Sequence, residues 1–574
     1  MLEPRAEEVA SFYAAVVGTD WGDNLVFQQN FFTDFLKVLQ GTPGALTIKQ
    51  FDKCDFTLIA AHLLAQRDLK KQMTKAEKEL VKKEKNDIDA VHGWVVLDGR
   101  KEKVGNYRIE PPGLFRGRGE HPKTGSLKTR VVPEQVSINI GEGEEIPKPP
   151  DGHQWGQVVH DNTVTWLAMW KENVNDNIKY VFLAANSSLK GQSDLKKFQK
   201  ARELHTCVAR IRQDYERELK DDVMATRQRA TAMYFIDRLA LRAGNEKGDD
   251  EADTVGCCSL RFEHVTLELP NKVIFDFLGK DSIRYYNAVT VAPQIFKNIK
   301  VFKRAPKKEG DALFDRLNTG ILNKHLNTYM DGLTAKVFRT YNASFTFQEE
   351  LKKTEQDSTV AEKILAYNRA NRQVAVLCNH QRAVSKQHGS QISKLQDKIL
   401  GFHYESQQIA QEMLALDPKL KKTRPELFEN SVEITPEFIQ RYQADILDKE
   451  RIKDAKQLEK LNEKRALDDE KPLTELDKPT RRLADSSLEK LAKRHASLQA
   501  KIETQSTQLI DKVIQLRQDE NKTTALGTSK INYIDPRISA AWCAKFHVPL
   551  DKIFNRSLRD KFKWAMDAAA DWAF

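Results

Sequence analysis

Arg242, Lys280, Arg339, His380 and Tyr533 are the residues whose types could do chemistry in this chain: four basic side chains and one phenol. A guanidinium stays charged and donates paired hydrogen bonds, so two of them suit an anion whose charge gathers on neighbouring oxygens. A phenol can act as a nucleophile, although with a pKa near 10 it is only about 0.1% ionised at neutral pH. Each residue also has a plain structural reading. Arg242 would be a cation at the C-terminus of a helix over 231–241 that stops at Ala243-Gly244-Asn245. Lys280, at the tip Gly279-Lys280-Asp281-Ser282 of a β-hairpin, would simply be solvated, and Arg339 would lie on a helix surface. His380 would cap the helix before it, and Tyr533 would be a loop aromatic packed on Trp542. No general base stands out near Tyr533.

Missing motifs narrow the choice of chemistry. There is no GxxxxGK[ST] phosphate loop: Gly279-Lys280-Asp281 lacks the upstream glycine. There is no HExxH, no EF-hand loop and no zinc-finger spacing, and Gly117-Arg118-Gly119 and Gly141-Glu142-Gly143 are too short for dinucleotide motifs. Neither ATP nor an obligatory metal is expected as a cofactor. The six cysteines, Cys54, Cys207, Cys257, Cys258, Cys378 and Cys543, show no CxxC spacing, which reads as a reduced, intracellular chain. No apolar run approaches the roughly 20 residues needed to cross a bilayer, and the first residues do not begin a signal peptide. A net charge of +10 and a pI near 9.0 point to a polyanionic partner, with a basic soluble protein as the alternative.

The elements that must position these residues follow from periodicity. At 574 residues, several folded units are needed. Residues 1–73 read as a helical cap, with a Lys/Glu-rich helix over 73–86 bridging to a β-rich unit, 74–187. That unit holds the strand-like runs 94–97, 136–140 and 180–183. Residues 188–384 read as mostly helical with a hairpin whose arms are 272–278 and 283–287. Ile392, Leu395, Ile399, Phe402, Ile409, Met413 and Leu416, with Ser406 in one slot, keep a three-four spacing. Leu488, Leu491, Leu498, Ile502, Leu509 and Leu516 do the same, after a capping pattern at Ser486 and Glu489. The two stripes predict an antiparallel coiled-coil hairpin within 385–520, carrying a solvated, charged insertion at 417–485. A compact helical segment, 521–574, closes the chain. The fold class expected is multidomain α+β.

Several segments carry a resemblance. They are Gly113-Leu114-Phe115-Arg116-Gly117-Arg118-Gly119, Leu239-Ala240-Leu241-Arg242-Ala243-Gly244-Asn245-Glu246-Lys247, Phe277-Leu278-Gly279-Lys280-Asp281-Ser282, Lys336-Val337-Phe338-Arg339-Thr340-Tyr341-Asn342-Ala343-Ser344 and Tyr367-Asn368-Arg369-Ala370-Asn371-Arg372. With Ser529-Lys530-Ile531-Asn532-Tyr533-Ile534-Asp535-Pro536-Arg537, they closely resemble eukaryotic type IB topoisomerases over nearly the whole chain outside 417–485.

The resemblance implies that Tyr533 attacks a DNA phosphodiester, forming a 3′-phosphotyrosine and freeing a 5′-hydroxyl. One phosphodiester replaces another, so no ATP is needed, in keeping with the missing phosphate loop. Arg242, Arg339 and His380 would hold the phosphate, and Lys280 would be the general acid. A clamp of cap and β-rich units would close around duplex DNA through lips near 121–123, which include Lys123, and near 245–250. It would be held mainly by phosphate contacts. The linker, 385–520, would slow rotation of the cut strand. Arg118, Asp281 and Asn532 match positions that hold camptothecin, so sensitivity to such interfacial inhibitors is expected. A monomer in the nucleus is implied. So are a basic N-terminal tail with import signals and the first clamp strands ahead of Met1, which makes Met1 read as the start of an incomplete chain. The rival readings are a tyrosine recombinase, which would need protomer contacts and site-specific base reading, and a non-catalytic DNA clamp.

Overall fold

Phe27, Phe31 and Phe35 recur every four residues, so a helix aligns them on one face. In the computed structural model the helix Leu25–Leu39 buries all three, with Phe31 stacked on Tyr13 of the helix Pro4–Ala14. The structure describes all residues except 1, 249, 384–387, 429–433, 468–473, 475–486, 515 and 518–521. It divides into two compact units: Met1–Glu349, Leu377–Asn379 and Thr528–Phe574 form the first, and Glu350–Val376 and His380–Gly527 form the second. Helices and short sheets alternate along the chain in an α+β arrangement.

The first unit begins with the helices Pro4–Ala14, Leu25–Leu39 and Thr57–Gln72. The expected bridging helix runs from Lys75 to His92, started by a capping box between Thr74 and Glu77. A hairpin, Trp94–Leu97 with Arg100–Lys103, follows it. A four-stranded sheet then forms in the spatial order Gln157–Val159, Ser137–Asn139, Trp166–Lys171, Ile178–Phe182, with only the first pair parallel. Beyond the helices Ser188–Glu203, Val208–Glu218 and Met224–Arg238 lies an antiparallel three-stranded sheet of Val265–Glu268, Lys272–Leu278 and Arg284–Thr290. The expected hairpin is present, and its second arm runs from Arg284 to Thr290 rather than over 283–287. The helix Ala335–Leu351 and, near the C-terminus, Leu526–Asn532 and Pro536–Phe546 complete the elements that matter for the site.

In the second unit the helices His388–Leu416 and Leu488–Ile514 pack antiparallel: Ser406 accepts a hydrogen bond from Gln499, and Lys501 lies over the ring of Phe402. Ile409, Met413, Leu491 and Leu498 are buried together, as the stripes require. Ser406 fills its apolar slot by satisfying its hydroxyl across the pair. Three details differ from expectation. Leu416 is exposed, and Leu516 belongs to a short strand, so both stripes end sooner than the pattern does. Ser487 accepts the Lys490 N–H at the start of the second helix, whereas Ser486 lies outside the described residues. Part of the 417–485 insertion also lies outside them; within it Pro436–Leu467 is a 32-residue helix whose described residues are mostly exposed. Its Tyr442 ring sits where a Cβ on Gly401 would be, and its hydroxyl donates to Glu405. No helix among the described residues is long and apolar enough to cross a membrane.

Candidate active site

Arg242 lies in a loop, not at a helix end. The helix Met224–Arg238 stops earlier than the apolar pattern suggested, because Ala240 turns the chain out at φ 50°. The loop is then pinned against a later segment: Cys257 N–H donates to the Arg242 carbonyl at 2.8 Å, and Cys258 N–H to that of Ala243 at 2.6 Å. Gly244, at φ 77°, lies so close to Gly256 that a Cβ on it would come within 2.3 Å of the Gly256 Cα. Only paired glycines permit that approach.

Arg339 is buried, with 7% exposure, which overturns the surface-helix alternative. Phe338, Ala343 and Phe347 seat its helix in the core. Its Nη1 donates to the Ala240 carbonyl at 2.6 Å and its Nη2 to that of Cys378. Carbonyl oxygens satisfy N–H groups without neutralising the charge. Burial pushes the guanidinium pKa down; Cys378 and Tyr533 oppose that shift, while the neighbouring charge of Arg242 adds to it.

Tyr533 follows the helix Leu526–Asn532 and is buried, with its N–H donating to the Ser529 carbonyl at 2.9 Å. The fully buried Ser344, on the helix of Arg339, donates to the Tyr533 carbonyl and accepts from Asp535 N–H, both at 3.0 Å. Lys197 donates to the Asn532 carbonyl at 3.3 Å. The guanidinium carbons of Arg339 and Arg242 lie 5.2 Å and 5.9 Å from the Tyr533 ring centroid. Three residues spread over the sequence thus form one cluster of two cations and a phenol. Sequence reasoning gave no role to Lys197 or to Ser344, although Ser344 ends one of the resembling segments, since contacts to backbone carbonyls leave no pattern in residue spacing.

The remaining candidates are placed as follows. Lys280 is exposed at the hairpin tip, where Asp281 and Ser282 both take positive φ. Arg118 forms an ion pair with Asp281, and Ser282 donates to the Arg118 carbonyl at 3.2 Å, so the loop 113–119 docks on that tip. Val255 N–H donates to the Leu278 carbonyl, joining the hairpin to the segment that pins Arg242. Lys123 pairs with Asp250 at 2.9 Å, although Asp249 beside it lies outside the described residues. Asn30 donates to the carbonyls of Pro122 and Thr124, which holds the Lys123 loop on the helix Leu25–Leu39. Asn532 is exposed next to Tyr533. His380 belongs to the second unit: it is buried, its N–H donates to the Ala375 carbonyl, and its carbonyl accepts from Ala525 N–H. Among the described residues no group of three or more His, Cys, Asp or Glu side chains could hold a metal ion.

Comparison with known proteins gives this cluster its context. The profile of the eukaryotic DNA topoisomerase I catalytic core matches residues 186–413, its DNA binding fragment matches 1–183, and a C-terminal topoisomerase domain matches 499–574. DNA topoisomerase 1 of Schizosaccharomyces pombe is 54% identical over all of this chain and 72% of its own length. That of Candida albicans is 51% identical over all of this chain and 76% of its own length, and that of Homo sapiens 45% over 99% and 67%. The class is that of the type I DNA topoisomerases, enzymes whose partner is DNA and whose activity relaxes it. The chain belongs to the eukaryotic DNA topoisomerase I family, the type IB enzymes.

Proposed function

We propose that this enzyme relaxes positively and negatively supercoiled duplex DNA through a covalent 3′-phosphotyrosyl intermediate, without ATP or an obligatory metal. The observation that carries this reading is the burial of Tyr533 beneath two guanidiniums, those of Arg339 and Arg242. The Tyr533 hydroxyl gives its proton to water as its oxygen attacks phosphorus, and the bond from phosphorus to the 5′-oxygen breaks. Lys280 gives that oxygen a proton. Arg242, Arg339 and His380 donate to the non-bridging oxygens, where charge develops. Preorganised donors of this kind contribute about 10²–10³ each to rate. Rotation of the cut strand releases torsion, and the 5′-hydroxyl then attacks the phosphotyrosine to restore the strand and the free phenol.

The Lys123–Asp250 pair supports a clamp that opens and closes around the duplex at those two loops. The antiparallel helix pair of the second unit supports a linker that slows rotation. Arg118, Asp281 and Asn532 form the site for camptothecin-type interfacial inhibitors. The enzyme acts as a monomer in the nucleus.

Plasmid relaxation in EDTA without ATP tests the reading, together with trapping of the 3′-linked adduct. Wild type should relax supercoils of both signs, and Tyr533→Phe should bind DNA yet neither relax it nor form adduct. A strict magnesium or ATP requirement, or relaxation by Tyr533→Phe, would sink the proposal.

A further inference from the structure

We infer that Asn342 is a positioning residue for cleavage, acting through Arg242. This rests on the reading of Arg242 and Arg339 as the phosphate ligands.

A helix leaves its last carbonyls without partners inside the helix, and these must find donors elsewhere. In Met224–Arg238, Leu239 N–H and Leu241 N–H both donate to the Phe235 carbonyl, so the carbonyls beyond it depend on other elements. Two of those donors come from one face of the helix Ala335–Leu351. Asn342 Nδ2 donates to the Asp237 carbonyl at 2.6 Å, and Arg339 Nη1 to the Ala240 carbonyl at 2.6 Å. Three residues apart, the two side chains grip the last helical turn and the turn that follows it. Between the two grips lies the path into Ala240, whose φ of 50° is unfavourable for a residue with a Cβ. Such a conformation persists only where its surroundings over-determine it. Arg242 is two residues further on.

The carboxylate of Asp237 is fixed as well, by Arg212 at 2.8 and 2.9 Å and by the Tyr215 hydroxyl at 2.9 Å. Asn342 therefore closes a junction in which the helix bearing one phosphate ligand sets the backbone that carries the other. Asn342 is 8% exposed and makes this bond inside the core. Without its donor the Asp237 carbonyl is left buried, and the Arg242 loop is held from the Gly256 side and by Arg339 alone. Misplacing a catalytic group by about 1 Å can cost about 100-fold in rate.

The test uses the full chain and a DNA duplex that releases a short 5′ fragment on cleavage, so that adduct formation is read in a single turnover. Asn342→Ala should slow adduct formation by about 10- to 100-fold with DNA affinity unchanged. Combined with Arg242→Lys, it should add little to the loss caused by Arg242→Lys alone, because both changes disturb the same contact. Multiplying losses, or a wild-type rate for Asn342→Ala, would overturn the inference while leaving the phosphate-ligand reading standing. A wild-type rate for Arg242→Lys would overturn that reading, and the inference with it.

Asn342→Asp provides a variant of nearly the same size in case the alanine protein does not fold. Its carboxyl can donate to the Asp237 carbonyl only when protonated; the charged groups around that junction are the Asp237 carboxylate with its partners Arg212, Arg238 and the Tyr215 hydroxyl, and Arg339 three residues earlier on the same helix. Its cleavage rate relative to wild type should fall as pH rises, and a ratio independent of pH would count against the role.

Discussion

The helices Ala335–Leu351 and His388–Leu416 are both regular, yet they are held by opposite means. The second buries a repeating apolar face against a partner helix, with Ser406 bonded across to Gln499 as its polar exception. The first buries a charge. Arg339 donates to Ala240, 99 residues away, and Ser344 bonds the backbone around Tyr533, 189 residues away. An apolar stripe needs only one partner with a matching period. A buried guanidinium needs each of its partners at a defined place, because the cost of desolvating it is offset only when its N–H groups are satisfied. Chemistry is therefore expected to fail sharply on substitution at the buried polar contacts of the first helix, and only stability to fail on substitution in the apolar face of the second.

The largest effect should come from Arg339→Lys. An ammonium cannot reach the carbonyls of Ala240 and Cys378 while also facing a phosphate, so single-turnover cleavage should fall by about 10²–10³-fold. A loss under tenfold would show that charge alone suffices. Gly256→Ala should come next. Its Cβ would meet the Gly244 Cα at 2.5 Å and the Arg242 carbonyl at 2.8 Å, displacing the Arg242 loop. Cleavage should drop about tenfold, and thermal unfolding should show a loss of about 1–3 kcal/mol. Unchanged cleavage would break the link between that glycine pair and the site.

In the second unit, Leu498→Ala should cost about 2–5 kcal/mol of local stability, read by hydrogen exchange along 488–514, with cleavage intact. A matching loss of cleavage would erase the contrast between the helix that buries a charge and the helix pair that buries an apolar stripe. The smallest effect concerns pH. Burial pushes the Lys530 ammonium down to about 8, below its ordinary value of 10.5. Between those values the unfolded chain binds the extra proton, so this residue's contribution to stability rises with pH from about 8 upward. The melting temperature of wild type relative to Lys530→Met should therefore increase from pH 7.5 to 9.5. A constant difference would mean the lysine is not desolvated.

Both apolar stripes were legible because their residues repeat within single helices, and the hairpin carrying Lys280 was legible from its flanking β-formers and its glycine. The helix Pro436–Leu467 was not: Arg441, Tyr442 and Gln443 bond to Asp397, Glu405 and Tyr404 of His388–Leu416, polar contacts that leave no apolar stripe, and charged residues dominate the rest of its length. Arg242 was placed on a helix because Leu239, Ala240 and Leu241 continue a helical composition. Positive φ at Ala240 cannot be read from an alanine.

From the sequence alone, the residue types at the site, the α+β class and the family resemblance were determined, because composition, local periodicity and motif strings are properties of short stretches. Only the tertiary structure decided that Arg339 is buried and that Arg242 lies in a pinned loop. It also decided that both guanidiniums sit beside Tyr533. Each of those facts depends on hydrogen bonds and close backbone approaches between segments distant in the chain, and no local pattern records them.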